Sequence, residues 1–385
     1  MNAPQQGAQL SDRQRLAWLQ LLRSDNVGPA TFRQLVNHFG SAEAALEMLP
    51  ELAARGGAKG RIVIASRDDA EHEMEFARRF GARFVAVGEA DYPPLMRRMD
   101  QPPPLLAVTG NPTVAHRPTI ALVGARNASI TGTKIARKLA SALGAAGFAV
   151  ASGLARGIDA AAHHGSLETG TIAALAGGLD KPYPPENKAL FDAICDRGLV
   201  MSEMPFGWIP RARDFPRRNR LVAGAAMGLV VIEAAKRSGS LISARLAAEM
   251  GRLVFAVPGS PFDPRAGGTN GLLKDGAILV TDADDIASQI APLLDRPPPA
   301  PEHLEEPPLS ASAPPPSDSD RTLIVNALGP TPVLIDEIIR HTGLHAAQVL
   351  TVLLELDLAG RLERHPGNAV SLVSAQDQEP GSLFS

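Results

Sequence analysis

The 385-residue chain holds a single cysteine, Cys195, which excludes a disulfide framework and any multi-cysteine metal site. Aromatic residues make up only 4% of it. Lysine is scarce, with 7 against 31 arginines. Arginine is the better bidentate ligand for phosphate, although a GC-rich genome gives the same bias. The chain also lacks an excess of positive charge: 38 basic and 41 acidic residues leave a net −3. That excludes a protein that coats nucleic acid indiscriminately, so any such contact must come from a local patch. No apolar run approaches the ~18 residues that span a membrane. The polar stretch from Met1 to Arg15 has no signal-peptide core, so a cytoplasmic, reducing location is expected. Three motifs are missing as well: Gly-x-x-x-x-Gly-Lys-Ser/Thr, a Gly-x-Gly-x-x-Gly after a strand, and His-Glu-x-x-His. P-loop chemistry, ordinary dinucleotide binding and that zinc-protease site therefore have no support, and no cofactor or metal is expected.

What is present is 45% hydrophobic and 21% charged, an ordinary globular composition. Residues 1–82 read as a small helical domain. Leu16, Leu19 and Leu22 share one helix face; Val27-Gly28-Pro29 breaks the run, and a second helix buries Phe32, Leu35, Val36 and Phe39. After Gly40-Ser41 a third helix runs through Leu46, and an amphipathic helix fills Ala65–Phe80. Residues 83–295 alternate apolar runs with alanine-rich helices. The strand candidates are 83–87, 105–109, 119–123, 148–151, 171–175, 199–202, 229–232, 253–257 and 278–280. Continuous apolar strands separated by helices predict an α/β fold, a Rossmann-like doubly wound parallel sheet covered on both faces. Residues 296–319 carry 9 prolines between Pro297 and Pro316 and read as an extended linker. Residues 320–376 follow as a small domain and 377–385 as a tail.

In such a sheet the ligand site lies beyond the carboxyl ends of the strands. The segments there are Gly124-Ala125-Arg126, Ser152-Gly153-Leu154-Ala155-Arg156-Gly157, Gly177-Gly178, Ser238-Gly239-Ser240 and Gly259-Ser260. Glycine and small hydroxyl residues let backbone N–H groups approach an anion, and five such loops on one rim make a phosphate-binding crest. The sharpest local signal is Arg211 to Arg220, with Arg211, Arg213, Arg217, Arg218 and Arg220 against Asp214, or +4 in ten residues. Phe215 and Asn219 sit inside it. Arginines for phosphates beside an aromatic for stacking suit a single strand. A solvated helix-initiating loop whose Phe215-Pro216 packs on the core fits the composition equally well. Asp159 and His163, four apart on a helix, form an acid–base or metal pair only with a third group that is not evident. Cys195, beside Phe191 and Ile194, reads as inert core.

These loops, with Tyr92-Pro93-Pro94-Leu95, Tyr183-Pro184, Phe215-Pro216-Arg217-Arg218-Asn219-Arg220, Ala256-Val257-Pro258-Gly259-Ser260 and Gly267-Gly268-Thr269-Asn270, resemble the DNA-processing protein A (DprA, or Smf) family over about residues 91–285. Ala125 stands where the family often has serine. The resemblance implies an extended Rossmann domain that binds single-stranded DNA and loads the RecA recombinase onto it during transformation and recombination. It implies a homodimer, and enzymatic turnover is not implied. It places Arg126 and the Phe215–Arg220 string in the DNA pocket, with Arg211 or Arg213 as the upstream basic residue. The first domain looks like a SAM or helix–hairpin–helix unit, but residues 26–49 hold one Arg and no Lys, so packing or regulation fits it as well. The last domain looks like a winged helix with Thr342-Gly343-Leu344 as its turn, His345–Ala359 as its second helix and Pro366-Gly367-Asn368 as its wing. That helix has no Lys or Arg and carries Glu355 and Asp357, so a protein contact fits better than groove reading.

The expected site is therefore Gly124, Arg126, Ser152, Gly153, Arg156, Arg211, Arg213, Phe215, Arg217, Arg218, Asn219, Arg220, Ser238, Gly239 and Ser240. Arg126 and Arg156 hold phosphates, Phe215 stacks a base, and Arg218, Asn219 and Arg220 fix the loop. Two rivals use the same fold. One is a nucleotide-processing enzyme such as a nucleoside monophosphate phosphoribohydrolase, with Glu233 or Asp159 as acid or base. The other is an effector-binding regulator reading DNA through the winged helix.

Overall fold

A computed structural model of the chain describes residues 9–58, 60–294, 315–365 and 367–373. Residues 295–314, most of the expected linker, lie outside that description, as do Pro366 of the expected wing and everything from 374 onward. The described residues form two units. One runs from His72 to 294 and includes residues 9–10; the other joins the described residues of Ser11–Glu71 to those from 315 on.

Three helices open the chain: α1 (Asp12–Arg23), α2 (Pro29–Phe39) and α3 (Ala42–Arg55). Their ends are written in the sequence. Ser11 and Gln14 form a capping box on α1, Pro29 starts α2, Gly40 ends it at φ +78°, and Ser41 caps α3. The buried face of α1 is Leu16, Ala17, Leu19 and Leu21; Leu22, expected inward, is only half-buried. Ala17 and Leu21, four apart, make the stripe that joins α2 and α3 in one core.

Helix α4 (Arg67–Phe80) leads to a nine-stranded sheet: β1 (Ala82–Ala86), β2 (Leu105–Gly110), β3 (Thr119–Val123), β4 (Ala149–Ser152), β5 (Thr171–Ala174), β6 (Leu199–Ser202), β7 (Gly228–Val231), β8 (Leu253–Ala256) and β9 (Ile278–Leu279). From β3 on, consecutive strands are joined by α5 (Ile130–Ala145), α6 (Ile158–Ser166), α7 (Lys188–Arg197), α8 (Asp214–Gly224), α9 (Ser240–Glu249) and α10 (Gly267–Lys274), and α11 (Ala283–Leu294) follows β9. The strand order is β1-β2-β6-β5-β4-β3-β7-β8-β9, parallel from β6 to β9. The sheet is not parallel throughout: β1 pairs β2 and β2 pairs β6 antiparallel. The reason is local. No α-helix separates β1 from β2, and a parallel return needs a long crossover. On β3, Ile120 and Leu122 enter one core while Ala121 and Val123 enter the other. Both faces are covered, which is why these strands read as unbroken apolar runs.

The C-terminal residues form α12 (Asp318–Ala327), β10 (Val333–Leu334), α13 (Ile335–Thr342), α14 (Ala346–Leu358), β11 (Leu362–His365) and β12 (Ala369–Leu372). The strands pair in the order β10-β12-β11, completing a winged helix. Its second helix, α14, is buried on two sides. Val349, Val352, Leu353 and Leu356 fill the winged-helix core, whereas Leu354 and Leu358 enter the core of α1–α3. Polar contacts seal that seam: Thr31 Oγ1 donates to Asp357 (2.8 Å), Arg364 bonds Asp357 (2.8 Å) and Gln34 (2.7 Å), and Asn26 donates to the Leu358 carbonyl (2.9 Å). The segments that read as separate end domains thus share one body. Glu355, buried, is held by both arms of Arg321 at 2.8 Å, so neither acid of α14 stands free to meet a phosphate.

Candidate nucleic-acid interface

Strand β3 has β4 on one side and β7 on the other, so the chain path reverses at β3 and opens a crevice beyond the carboxyl ends of these strands. The loops after β3, β4, β5, β7 and β8 line that rim. Ala125 N donates to the Glu233 carbonyl at 2.7 Å, tying the β3 and β7 loops together. Gly157, at φ +75°, lets the β4 loop close on the carbonyl of Ala125.

Arg126 is exposed at this crevice, and its guanidinium lies 4.7 Å from the ring centre of Phe215. Tyr183, from the loop after β5, meets Phe215 edge-on, with ring centres 5.7 Å apart. Phe215 is thus a half-buried platform in contact with a cation and a second aromatic ring. Trp208 repeats the arrangement nearby: Arg211 stacks on it at 4.9 Å, and its Nε1–H and the Arg211 N–H both donate to buried Asp214 (2.9 and 2.8 Å). Sequence reasoning did not place Tyr183 or Trp208 in the site. The signal was their rarity, since the chain has two tryptophans and two tyrosines and one of each stands on this rim.

The arginine run divides by helix geometry. Arg217 and Arg220, three apart at the start of α8, share a face and both bind Glu203 (2.8 and 2.5 Å). Arg220 also donates to the Gln101 carbonyl at 2.7 Å. Burial alone would raise the Glu203 carboxyl, but Arg220 and Arg217 outweigh it and hold the group below the usual carboxylate range. Arg218 lies on the inward face with Leu221 and Val222, 6% exposed, and pairs with buried Asp159 at 3.6 Å. Burial pushes the Asp159 carboxyl up and the Arg218 guanidinium down, and each holds the other charged against that penalty. Arg213 is exposed and Asn219 half-buried. Arg213 and Arg126 have no acidic partner among the described residues, whereas Arg156, also exposed, lies 3.8 Å from Glu186.

The β4 loop is built by its neighbours. Asp159 accepts from the N–H groups of Gly153 and Ala155 (3.2 and 3.4 Å). His163 Nε2 accepts from Leu154 N–H (3.3 Å), so its Nδ1–H donates to Thr171 (2.7 Å). Leu154, buried, holds φ +58° between these bonds, a conformation that a bulky side chain rarely keeps unless its surroundings impose it. Asp159 and His163 therefore shape the loop rather than face the crevice. Ser152 is fully buried and donates to the Leu122 carbonyl, and Gly153 is buried against Arg218. Gly124 is half-buried at the end of β3; Ser238 and Ser240 bond each other at 2.7 Å, flanking exposed Gly239. Glu233 accepts from the Ser129 N–H at 2.8 Å and from its hydroxyl, at the start of α5. Both acids considered for nucleotide chemistry thus have structural partners. Cys195 is half-buried at the side of α7, its thiol pushed up to about 12 by burial and by Asp192 and Asp196. No helix among the described residues is long and apolar enough to cross a membrane.

Comparison with known proteins agrees with this architecture. Residues 83–291 match the family described as DNA recombination-mediator protein A, residues 12–75 a DprA-like N-terminal HHH domain, and residues 296–368 a DprA winged helix domain. The chain is 32% identical to protein Smf of Synechocystis, across 93% of this chain and 98% of that one. It is similar to the X-ray structure of DNA processing protein A from Streptococcus pneumoniae, with 30% identity, TM-score 0.60, and 73% of this chain and 99% of that one covered. The Helicobacter pylori protein, whose structure concerns its single-stranded DNA binding mode, matches at 27% identity and TM-score 0.51, over 55% of this chain and 96% of that one. The ordered loops of the rim, the three matched regions and the full-length relative lead to one assignment: this chain belongs to the DNA recombination-mediator protein A (DprA/Smf) family.

Proposed function

We propose that the protein binds single-stranded DNA across the carboxyl-end rim, protects it, and hands it to the RecA recombinase, without catalysing a reaction. The observation that carries this reading is Arg126, exposed, free of acidic partners among the described residues, and stacked on Phe215. A phosphate on Arg126 leaves the neighbouring base beside the Phe215–Tyr183 pair. Arg156, Arg211 and Arg213 add exposed cations, and Arg217 keeps its outer side in water. The Gly124 loop and the Ser238-Gly239-Ser240 turn complete the rim, and at exposed Gly239 the absence of a side chain lets a phosphate approach the backbone. Arg218, Arg220, Ser152 and Gly153 act through position: they hold the loops that carry the contacts. The binding mode of the Helicobacter pylori relative supports the same substrate. A homodimer through the Rossmann unit is also proposed. It is supported by β9 at the sheet edge, which pairs with β8 alone among the described residues and leaves Leu279 51% exposed, and by exposed Leu293 and Leu294 at the end of α11.

The test is binding of labelled oligo-dT by the wild type, Arg126→Ala and Arg220→Ala at several salt concentrations. Both variants should bind more weakly, and Arg126→Ala should flatten the salt dependence by about 0.7 in log–log slope, the loss of one phosphate contact. Unchanged affinity in both variants, or release of free base from a nucleotide, would sink the reading.

A further inference from the structure

Beyond β8 the chain turns through Pro258-Gly259-Ser260-Pro261-Phe262, and the Phe262 side chain is 95% exposed. A ring in water forgoes the burial that a phenylalanine normally gains. This loop is not a loose end. Asn270 bonds both the N–H and the carbonyl of Gly259 (3.2 and 2.9 Å), and Phe262 N donates to Ser260 Oγ (3.3 Å). Asp263 accepts from the N–H and guanidinium of Arg265 (2.9 to 3.0 Å). Ala234 N donates to the Arg265 carbonyl and Gly268 N to the Ala234 carbonyl, both at 2.7 Å, binding the β8 loop to the β7 loop. None of these bonds uses the ring.

The position is specific. In the order β3-β7-β8, Phe262 lies in the loop that follows the strand two places from β3, and strands two places apart stand about 10 Å from each other at the usual spacing. Between them the β7 loop presents Lys236 and Arg237, exposed and without an acidic partner among the described residues. The rim therefore repeats itself: an aromatic at Phe215, cations, then a second aromatic.

We propose that Phe262 is a second base-stacking platform for the same single strand, with Lys236 and Arg237 on the phosphates between. A nucleobase is the occupant favoured because the Phe262 loop is bonded to the β7 loop, whose Lys236 and Arg237 are exposed and without an acidic partner among the described residues, on the rim that carries Arg126. The inference rests on the single-strand reading and extends it, setting a longer footprint than the Phe215 pocket alone.

The experiment measures full-chain binding of a short oligo-dT of about four nucleotides and a long one of about sixteen, spanning the range of single-strand site sizes. Phe262→Ala should weaken the long oligomer roughly 5- to 150-fold, the worth of one stacked base, and leave the short one unchanged. Phe262→Trp should restore the long-oligomer affinity. If Phe262→Ala binds both lengths like the wild type while Arg126→Ala loses both, the second platform is wrong and the single-strand reading stands. If Phe262→Ala changes self-association in sedimentation without changing DNA affinity, the ring is a protein contact and the inference falls. If Arg126→Ala also binds as the wild type does, the single-strand reading itself fails and takes the platform with it.

Discussion

Gly153 and Gly239 occupy equivalent places in the glycine pattern of the rim, yet the structure makes opposite demands on them. A Cβ at residue 153 would overlap the Arg218 guanidinium, whereas one at residue 239 meets nothing within 4 Å. Gly239 also has φ −62° and ψ −20°, a conformation open to any residue. Gly153→Ala must therefore move Arg218 off buried Asp159. Breaking a buried pair costs about 3–5 kcal/mol, so the variant should unfold at clearly lower urea, while Gly239→Ala should match the wild type. Equal midpoints for the two variants would mean that Arg218 is not locked against Gly153. Sequence alone cannot separate these glycines, because the difference lies in a side chain 65 positions away. The same holds for the arginine run: a count gives its charge, but Glu203 and Asp159, which engage Arg217, Arg218 and Arg220, arrive from the end of β6 and the first turn of α6.

At the scale of elements, α6 is held between the β4 loop and β5 by His163. Burial, with Arg218 adding to it, pushes this imidazole down to about 3 from the ordinary 6.5. The folded state then binds fewer protons than the unfolded one between those values. Stability is full above pH 6.5 and is lost as pH falls toward 3, on the order of 2 kcal/mol by pH 5. His164, exposed on the same helix, is lowered too, by partial burial and Arg137, and acts in the same sense. Glu203, also depressed, adds its loss only when pH reaches the carboxylate range. Urea unfolding at pH 7.5 and pH 5 should show this drop in the wild type and a smaller one in His163→Asn; an equal drop in both would remove His163 as its source. Element identity was largely legible. The parallel strands betray themselves as apolar runs because both faces are covered, and the caps Ser11, Ser41 and Ser317 mark helix starts. Two relations were not. The antiparallel pairing of β2 with β6 joins residues roughly ninety apart in the chain. The seam of α14 with α1–α3 joins Thr31 and Gln34 to Asp357 and Arg364, polar residues whose pattern is that of an exposed surface.

The whole molecule is acidic, and that shapes how it can hold a polyanion. The rim has five exposed cations whose charged groups have no acidic partner among the described residues: Arg126, Arg211, Arg213, Lys236 and Arg237. Each single-strand phosphate neutralised contributes about 0.7 to the log–log salt slope, so five give a slope of about −3.5 near 0.1 M salt. The 41 acidic residues act differently, because they are spread over the chain and not gathered at the strand. At 0.1 M the screening length is about 10 Å and their repulsion hardly reaches the DNA; at 0.01 M it is about 30 Å and much of the −3 chain is felt. The affinity gain on lowering salt should therefore bend, steep above about 0.1 M and shallow toward 0.01 M. A basic coating protein would give a line that stays steep throughout. Oligo-dT titrations from about 0.01 to 0.3 M salt test this. A straight line of slope about −3.5 would show that the acidic surface is not felt at the rim, and a slope shallower than about −1 at high salt would mean that the rim cations do not meet phosphates. A strand held by few contacts against a repelling background is one that a partner can take over, which is the property a mediator needs.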